Sequence, residues 1–416
     1  MKQHIRIILL AISLCGSWAY SLAQTWTLDS VLSVVERNNP ALEVYENRIK
    51  ALDAYGQGAR SWMAPMVGVG TFMKPYPNET VTHESEEGAW MFSIEQDIPN
   101  PAKLNANKRY MNSRSGVEKQ ARSAHFNALR AEARTLYYQW LVAEKKIRVL
   151  SESERIMELM LRLSRIRYPY NQASLGSIYR AEGRLGEVHN SMASTRAQIE
   201  SIRYRLQALM ALPASESIMI DTATSVVFDP DPLLADTAAL GERRSDIRQL
   251  EESMRTVRLN EERARVQAKP DFRIRFDHMQ PIGDMPRSFS AMAMVTIPIA
   301  PWSSRMYRSE IRGMQYDVEA IKDEREARLI QAHGKITALA ARIRATQTEL
   351  NNYESKIIPA LHKHHQAVMV AYEENQEQLP AVVDAWEALN MAQMEYLGKM
   401  ESLYMMIADY DKELEN

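Results

Sequence analysis

The chain is written twice. Tyr168-x-x-Asn171-Gln172-x-x-Leu175-x-x-Ile178-x-x-Ala181 returns 204 residues later as Tyr372-x-x-Asn375-Gln376-x-x-Leu379-x-x-Val382-x-x-Ala385, in register and without a gap. Asn39-Pro40-Ala41-Leu42 likewise answers Arg244-Ser245-Asp246-Ile247, Pro65 answers Pro270, and Pro99 answers Pro298 after a shorter loop. Such a repeat outranks any local reading, because each half must carry the same parts in the same order.

Within each half the periodicity changes type. Asp271-Phe272-Arg273-Ile274-Arg275-Phe276-Asp277 alternates strictly between charged and apolar, as a strand with one wet and one greasy face requires. Trp90, Phe92, Ile94 and Ile98 alternate with Met91, Ser93, Glu95 and Asp97 in the same way, and residues 66–74 and 288–297 are weaker versions. These segments predict two hairpins, 64–99 and 270–299, joined by polar loops at 75–88 and 281–287. At about ten residues, each strand has the length a tilted strand needs to cross an outer membrane.

The remainder reads as helix. From Val117 to Tyr168 there is neither Gly nor Pro, and good helix formers dominate. A helix from Ala102 to Tyr168 spans roughly 100 Å at about 1.5 Å per residue, which no compact domain needs. The second half repeats this layout from Trp302 to Tyr372, with Gly313 and Gly334 as weak points and a bend at Pro359. Return helices at 178–212 and 382–415 complete two antiparallel helical hairpins, 102–212 and 302–415, with heptad-like apolar spacing. The expected organisation is a first repeat at 25–212, a connector at 213–240 with a short strand at 225–228, and a second repeat at 241–416.

Residues 1–24 read as a signal peptide: Lys2 and Arg6, an apolar run from Ile7 to Leu14, then small residues ending at Ala23 and Gln24. Cys15, the only cysteine, falls inside it, so no disulfide is expected in the mature chain; Ile12-Ser13-Leu14 lacks the small residue that usually precedes a lipidated cysteine. No later stretch is long and apolar enough for a membrane helix, so the mature chain is either periplasmic or enters a membrane as strands. With 51 basic and 53 acidic residues the chain has no electrostatic footprint for nucleic acid. No phosphate-binding Gly loop, HExxH or nucleophile elbow is present, so neither an enzyme nor a cofactor is expected.

Four strands cannot close a barrel, and an open edge in lipid leaves backbone groups unsatisfied. Three copies supply twelve strands, enough for a lumen, whereas two give eight, whose side chains tend to fill the interior.

These features resemble the outer-membrane factor (TolC) family over essentially the whole mature chain. The resemblance is carried by Thr27-Leu28-Asp29-Ser30 through Asn39-Pro40-Ala41-Leu42, the prolines that open the hairpins, and the two Tyr-x-x-Asn-Gln-x-x-Leu motifs. The family usually has Gly where this chain has Asn171 and Asn375, and Asn is the common substitute where φ must be positive. The resemblance implies a mainly α fold with a small β part. Long antiparallel helical hairpins would form a periplasmic tunnel, and four strands per chain would contribute to a trimeric 12-stranded outer-membrane β-barrel. It further implies a homotrimer in outer-membrane lipid, serving a periplasmic adaptor and an inner-membrane pump of the proton-driven type. A duct for type I protein secretion is the alternative on the same fold, and a soluble periplasmic coiled-coil scaffold the alternative from another class. Gln96-Asp97-Ile98-Pro99-Asn100-Pro101-Ala102-Lys103-Leu104 looks more like the heavy-metal cation efflux branch than the drug efflux branch.

In that family the two helical turns form the periplasmic tip, and side chains just past them make the closed constriction. Carried onto this chain, the tip gate comprises Arg167, Asn171, Gln172 and Arg180 at a basic first turn, and Glu373, Glu374, Asn375, Gln376 and Asp384 at an acidic second one. Asp384 matches an acidic position of some members, and threefold symmetry would make it a cation-attracting ring, although the other usual acidic position is Ala381 here. His362, His364, His365 and Met369 share helix faces and are soft-metal ligand types, but no supporting carboxylates accompany them. A solvated helix face is the plainer expectation there. For methionines such as Met157, Met160, Met405 and Met406, gap-filling in a coiled-coil core is the ordinary expectation.

Overall fold

The computed structural model describes residues 25–80, 82–83, 87–223, 226, 228 and 237–415. The expected signal peptide with Cys15, and residues 225 and 227 of the strand expected in the connector, lie outside these. Two compact units emerge, each built from both halves of the sequence. One takes the described residues of Met1–Pro40, Phe126–Ala235 and His333–Asn416, the other Ala41–His125 and Asp236–Ala332.

The second unit holds a four-stranded antiparallel sheet of β2 (Met66–Phe72), β3 (Ala89–Ile98), β5 (Phe272–Pro281) and β6 (Ser288–Val295), in that order. The central pair joins the two hairpins, with Ile94 opposite Phe276 and Ile98 opposite Phe272. Val67 faces Ile94, and Phe276 faces Ala291, on the flanking strands. Directly opposed residues share a face. One face therefore collects Val67, Val69, Phe92, Ile94, Ile274, Phe276 and Phe289, and all of these remain exposed. The other face carries a charge ladder. The Arg273 Nε donates to Asp97 at 2.6 Å, its Nη1 lies 2.8 Å from Glu95, and the Arg275 Nε donates to Asp277 at 2.9 Å.

The edge strands are shorter than the ten residues expected. β2 ends where Met73 turns to φ 51° and Gly88 to φ 81°. A Cβ on Gly88 would sit 2.8 Å from Lys74 Cα and 2.9 Å from the Phe72 carbonyl oxygen, so only glycine fits there.

Four helices abut one end of this sheet: α2 (Pro40–Gly58), α3 (Pro101–Arg167), α6 (Ser245–Val266) and α7 (Pro301–Asn352). α3 starts one residue earlier than expected because Pro101 suits a first helical turn, while Asn100 Oδ1 accepts the Ala102 N–H at 3.0 Å. The Asn100 N–H in turn donates to Asp271 at 3.0 Å, pinning the helix start to the second hairpin. α7 runs unbroken through Gly313 and Gly334, then gives way to a π turn at Tyr353–Ile357 before α8 (Ile358–Glu373). Pro359 has no N–H for the Ser355 carbonyl and its ring crowds that turn, so the wider turn just upstream accommodates it.

In the first unit β1 (Thr25–Trp26) pairs in parallel with β4 (Met219–Ile220), and α1 (Leu28–Asn38) is capped by Thr27. The Tyr137 hydroxyl lies 3.2 Å from the Trp26 carbonyl oxygen and 3.1 Å from that of Asp221, bracketing this ribbon. α5 (Thr237–Arg243) follows the connector and belongs to the second unit. One core cluster is shared by α3, α4 (Leu175–Leu209), α8 and α9 (Leu379–Leu414), including Leu150, Met160, Ile178, Val188, Tyr372, Val382 and Trp386. Met157 and Met160 are fully buried in it, the gap-filling role expected of them, whereas Met405 is exposed and does not fill a core gap. Each such side chain contributes roughly 1.5–3 kcal/mol of transfer free energy.

Candidate functional site at the helical turns

The two turns share one backbone solution. Asn171 (φ 56°) and Asn375 (φ 59°) are left-handed. Asn171 N–H bonds the Tyr168 carbonyl and Gln172 N–H that of Arg167; Asn375 N–H bonds Tyr372 and Gln376 N–H Ala371. Both are Schellman endings, in which the residue after the helix must reverse its φ and Asn is the tolerated non-glycine choice. The exits differ. Ser174 caps α4 by accepting the Ser177 N–H at 3.1 Å, whereas Gln378 offers α9 no side-chain cap and Pro380 lies in the first turn.

The charges around the turns are largely spent within one chain. Arg180 of α4 pairs with Asp384 of α9. One helical turn further, Arg184 takes both oxygens of Glu387 at 2.7 and 2.9 Å. Arg165 of α3 pairs with Glu182 of α4. Arg167 reaches across to the other turn: its Nη1 donates to the Tyr372 carbonyl at 2.8 Å, its Nη2 to that of Glu373 at 3.3 Å, and its guanidinium lies 4.2 Å from the Tyr372 ring centroid. It thus satisfies carbonyls at the end of α8, where a cation also suits the helix dipole. A cavity of about 460 Å³ lies between the turns, lined by Arg167, Asn171, Gln172, Ser177, Asn375 and Glu377 among others. Glu374 accepts from the Gln376 side chain at 3.0 Å, while the carboxylates of Glu373 and Glu377 make no ion pair among the described residues.

Sequence reasoning placed Arg167 and Asp384 in the tip but missed the Arg167 clasp on Tyr372 and the Arg184–Glu387 pair. The spacing of the second pair, close to the repeat offset, was the available signal.

The solvated-face expectation for the histidines needs correction. His362 and His364 are exposed, but His365 is buried, and Met369 packs on the helical core. His365, Val368, Met369 and Tyr372 fall at i, i+3, i+4 and i+7, the inward stripe of α8. Among the described residues no group of three or more His, Cys, Asp or Glu side chains is placed to hold a metal. Burial, then the neighbouring His362 and His364, lowers the His365 pKa below its ordinary value. The unfolded chain therefore binds this proton more readily, so stability is expected to fall as pH drops through and below about 6.5. His365→Leu should flatten that acid limb in denaturant titrations of the purified protein, and an unchanged limb would assign it to other groups.

No protein-family model and no curated relative matches the chain. Solved structures do. The outer-membrane channel OprN aligns at 16% identity with a TM-score of 0.76, covering 93% of this chain and 89% of that one. The outer-membrane protein VceC of Vibrio cholerae aligns at 13% and 0.72, covering 93% and 95%. CusC aligns at 13% and 0.74, covering 95% of each. The fold is that of the outer-membrane factor channels, long helical hairpins carrying four strands per chain. Identities of 13% to CusC and 16% to OprN do not single out the heavy-metal branch suggested by residues 96–104.

Proposed function

We propose that this chain is one third of a homotrimeric outer-membrane channel. It passively conducts cargo handed over by a proton-driven inner-membrane pump through a periplasmic adaptor. The observation that carries this reading is the sheet, whose exposed apolar face is bounded by the edges of β2 and β6, each without a partner strand among the described residues. In water such a face and such edges invite aggregation. In a ring of three, β6 of one copy pairs with β2 of the next, the apolar face meets lipid, and the ladder from Glu95 to Asp277 lines a wet lumen.

The helical turns serve as the gate. Arg180–Asp384 and Arg184–Glu387 hold α4 to α9, while Arg167 holds the end of α3 to the end of α8. Each exposed ion pair contributes about 1 kcal/mol or less, so the latch is strong only as a set and can yield to an adaptor pressing on the tip. In this arrangement Asp384 is neutralised by Arg180 while the latch is shut, and its negative ring forms as the latch opens.

Outer-membrane fractions of an expressing cell are expected to contain the protein as a trimer whose electrophoretic mobility changes on boiling. Recovery as a soluble periplasmic monomer or coiled-coil dimer would overturn the reading.

A further inference from the structure

The four helix ends that abut the sheet are unusually basic. Residues 53–62, 101–114, 258–271 and 301–312 together hold twelve Lys or Arg against five Asp or Glu, in a chain that is net −2 overall. The strand registers place all four segments at the same end of the sheet, because β2 and β5 begin where β3 and β6 finish.

Several of these cations have no carboxylate partner among the described residues. Arg60, Lys108, Lys269, Arg305, Arg308 and Arg312 are exposed and make no ion pair among the described residues, whereas Arg109, Arg265, Arg325 and Arg328 on the same helices do. Arg305, Arg308 and Arg312 recur at i, i+3 and i+7 and so share one face of α7. Ser304, Tyr307 and Val318 mark the adjoining, buried side. Their stripe lines a shallow cavity of about 600 Å³ with Ser304, Ser309 and Tyr316. Between this stripe and the sheet lie exposed apolar side chains: Ile297, Ile299 and Trp302, the last 85% exposed, with Trp62 and Met63 before β2. From the sheet end outward the order is therefore apolar strands, then tryptophans, then unpaired arginines.

We propose that this collar binds the phosphate headgroups of anionic phospholipids in the membrane leaflet at the helical end of the sheet, with Arg305, Arg308 and Arg312 as its main contacts. The proposal rests on the reading of the sheet as membrane-spanning. Tryptophan favours the boundary between hydrocarbon and headgroup, and arginine, with its planar fork of donors, is suited to phosphate. At about 1.5 Å of rise per residue, Arg305 to Arg312 lie within roughly 20 Å of the helix start, inside the headgroup zone and the adjoining water. Lipid is favoured over a second copy as the occupant because the exposed charges of α2, the helix before the other sheet edge, are mixed: Glu43, Arg48, Lys50 and Asp53.

The test uses the full-length trimer in phosphatidylcholine vesicles containing a trace of spin-labelled phosphatidylglycerol or spin-labelled phosphatidylcholine, with the immobilised fraction read by electron spin resonance. The wild type should immobilise the anionic label about fivefold more strongly than the zwitterionic one, and less so in high salt. The triple change Arg305→Gln, Arg308→Gln and Arg312→Gln should remove most of this preference while the number of immobilised lipids stays constant, and the Arg→Lys triple should retain part of it. Equal immobilisation of both labels by the wild type, or a preference that survives the Gln triple, overturns the proposal. So does dissociation of the Gln-triple trimer in cross-linking, because the arginines would then serve the neighbouring copy. A wild type that immobilises no lipid at all fails earlier, at the membrane-spanning sheet itself.

Discussion

Phe276→Arg is expected to remove the heat-modifiable trimer from outer-membrane fractions, while Ser290→Arg leaves it in place. Phe276 sits at the middle of β5 on the apolar face and stacks on Phe289, with ring centroids 5.7 Å apart. An arginine at the lipid midplane costs about 2–4 kcal/mol, and the ring incurs it three times. Ser290 lies opposite Asp277 on the other face, where a new cation meets a carboxylate and water. Comparison of the two variants by unboiled electrophoresis separates membrane placement from general fragility. Equal trimer yields would mean that the apolar face does not meet lipid.

The second large effect concerns the tip. Replacing Arg180 and Arg184 together by Ala removes both ion pairs between α4 and α9 and leaves their shared apolar core, a loss of at most about 2 kcal/mol per chain and roughly three times that per ring if the chains add. A closed state held by so few pairs should then lose its advantage, and purified trimers in planar bilayers should rest at a several-fold higher conductance. Raising the salt concentration should move the wild type in the same direction, since the Arg180 and Asp384 side chains are 42% and 58% exposed. Asp384→Asn should act more weakly, leaving Arg184–Glu387 intact, and should also diminish block by multivalent cations. If neither the double change nor Asp384→Asn alters conductance, the latch does not hold the gate.

Much of this was legible in the residues. The even–odd alternation from Asp271 to Asp277 put Ile274 and Phe276 on one face and Arg273 and Arg275 on the other, as the registers have them. The asparagines at the turns could be read because a positive φ restricts the choice of residue, and both are left-handed. Arg167 was harder. Its partners are backbone carbonyls 205 and 206 residues away, and a carbonyl leaves no mark in a sequence. The duplication implied that the turns lie side by side, but not which of three nearby arginines would bridge them. His365 was misjudged for a different reason. Its polar neighbours drew attention to a cluster, while the apolar stripe it shares with Val368, Met369 and Tyr372 decided its burial. Where β2 stops was set by Met73 and Gly88, a local backbone reversal to which hydrophobic pattern is blind.

The two bare sheet edges carry a consequence for heredity. If the barrel is a ring of three, each copy offers one edge to each neighbour, so a copy with a ruined β2 or β6 disables its neighbours' seams as well as its own. An allele that damages either strand but still reaches the periplasm should be dominant over the intact gene. An allele that prevents export should be recessive.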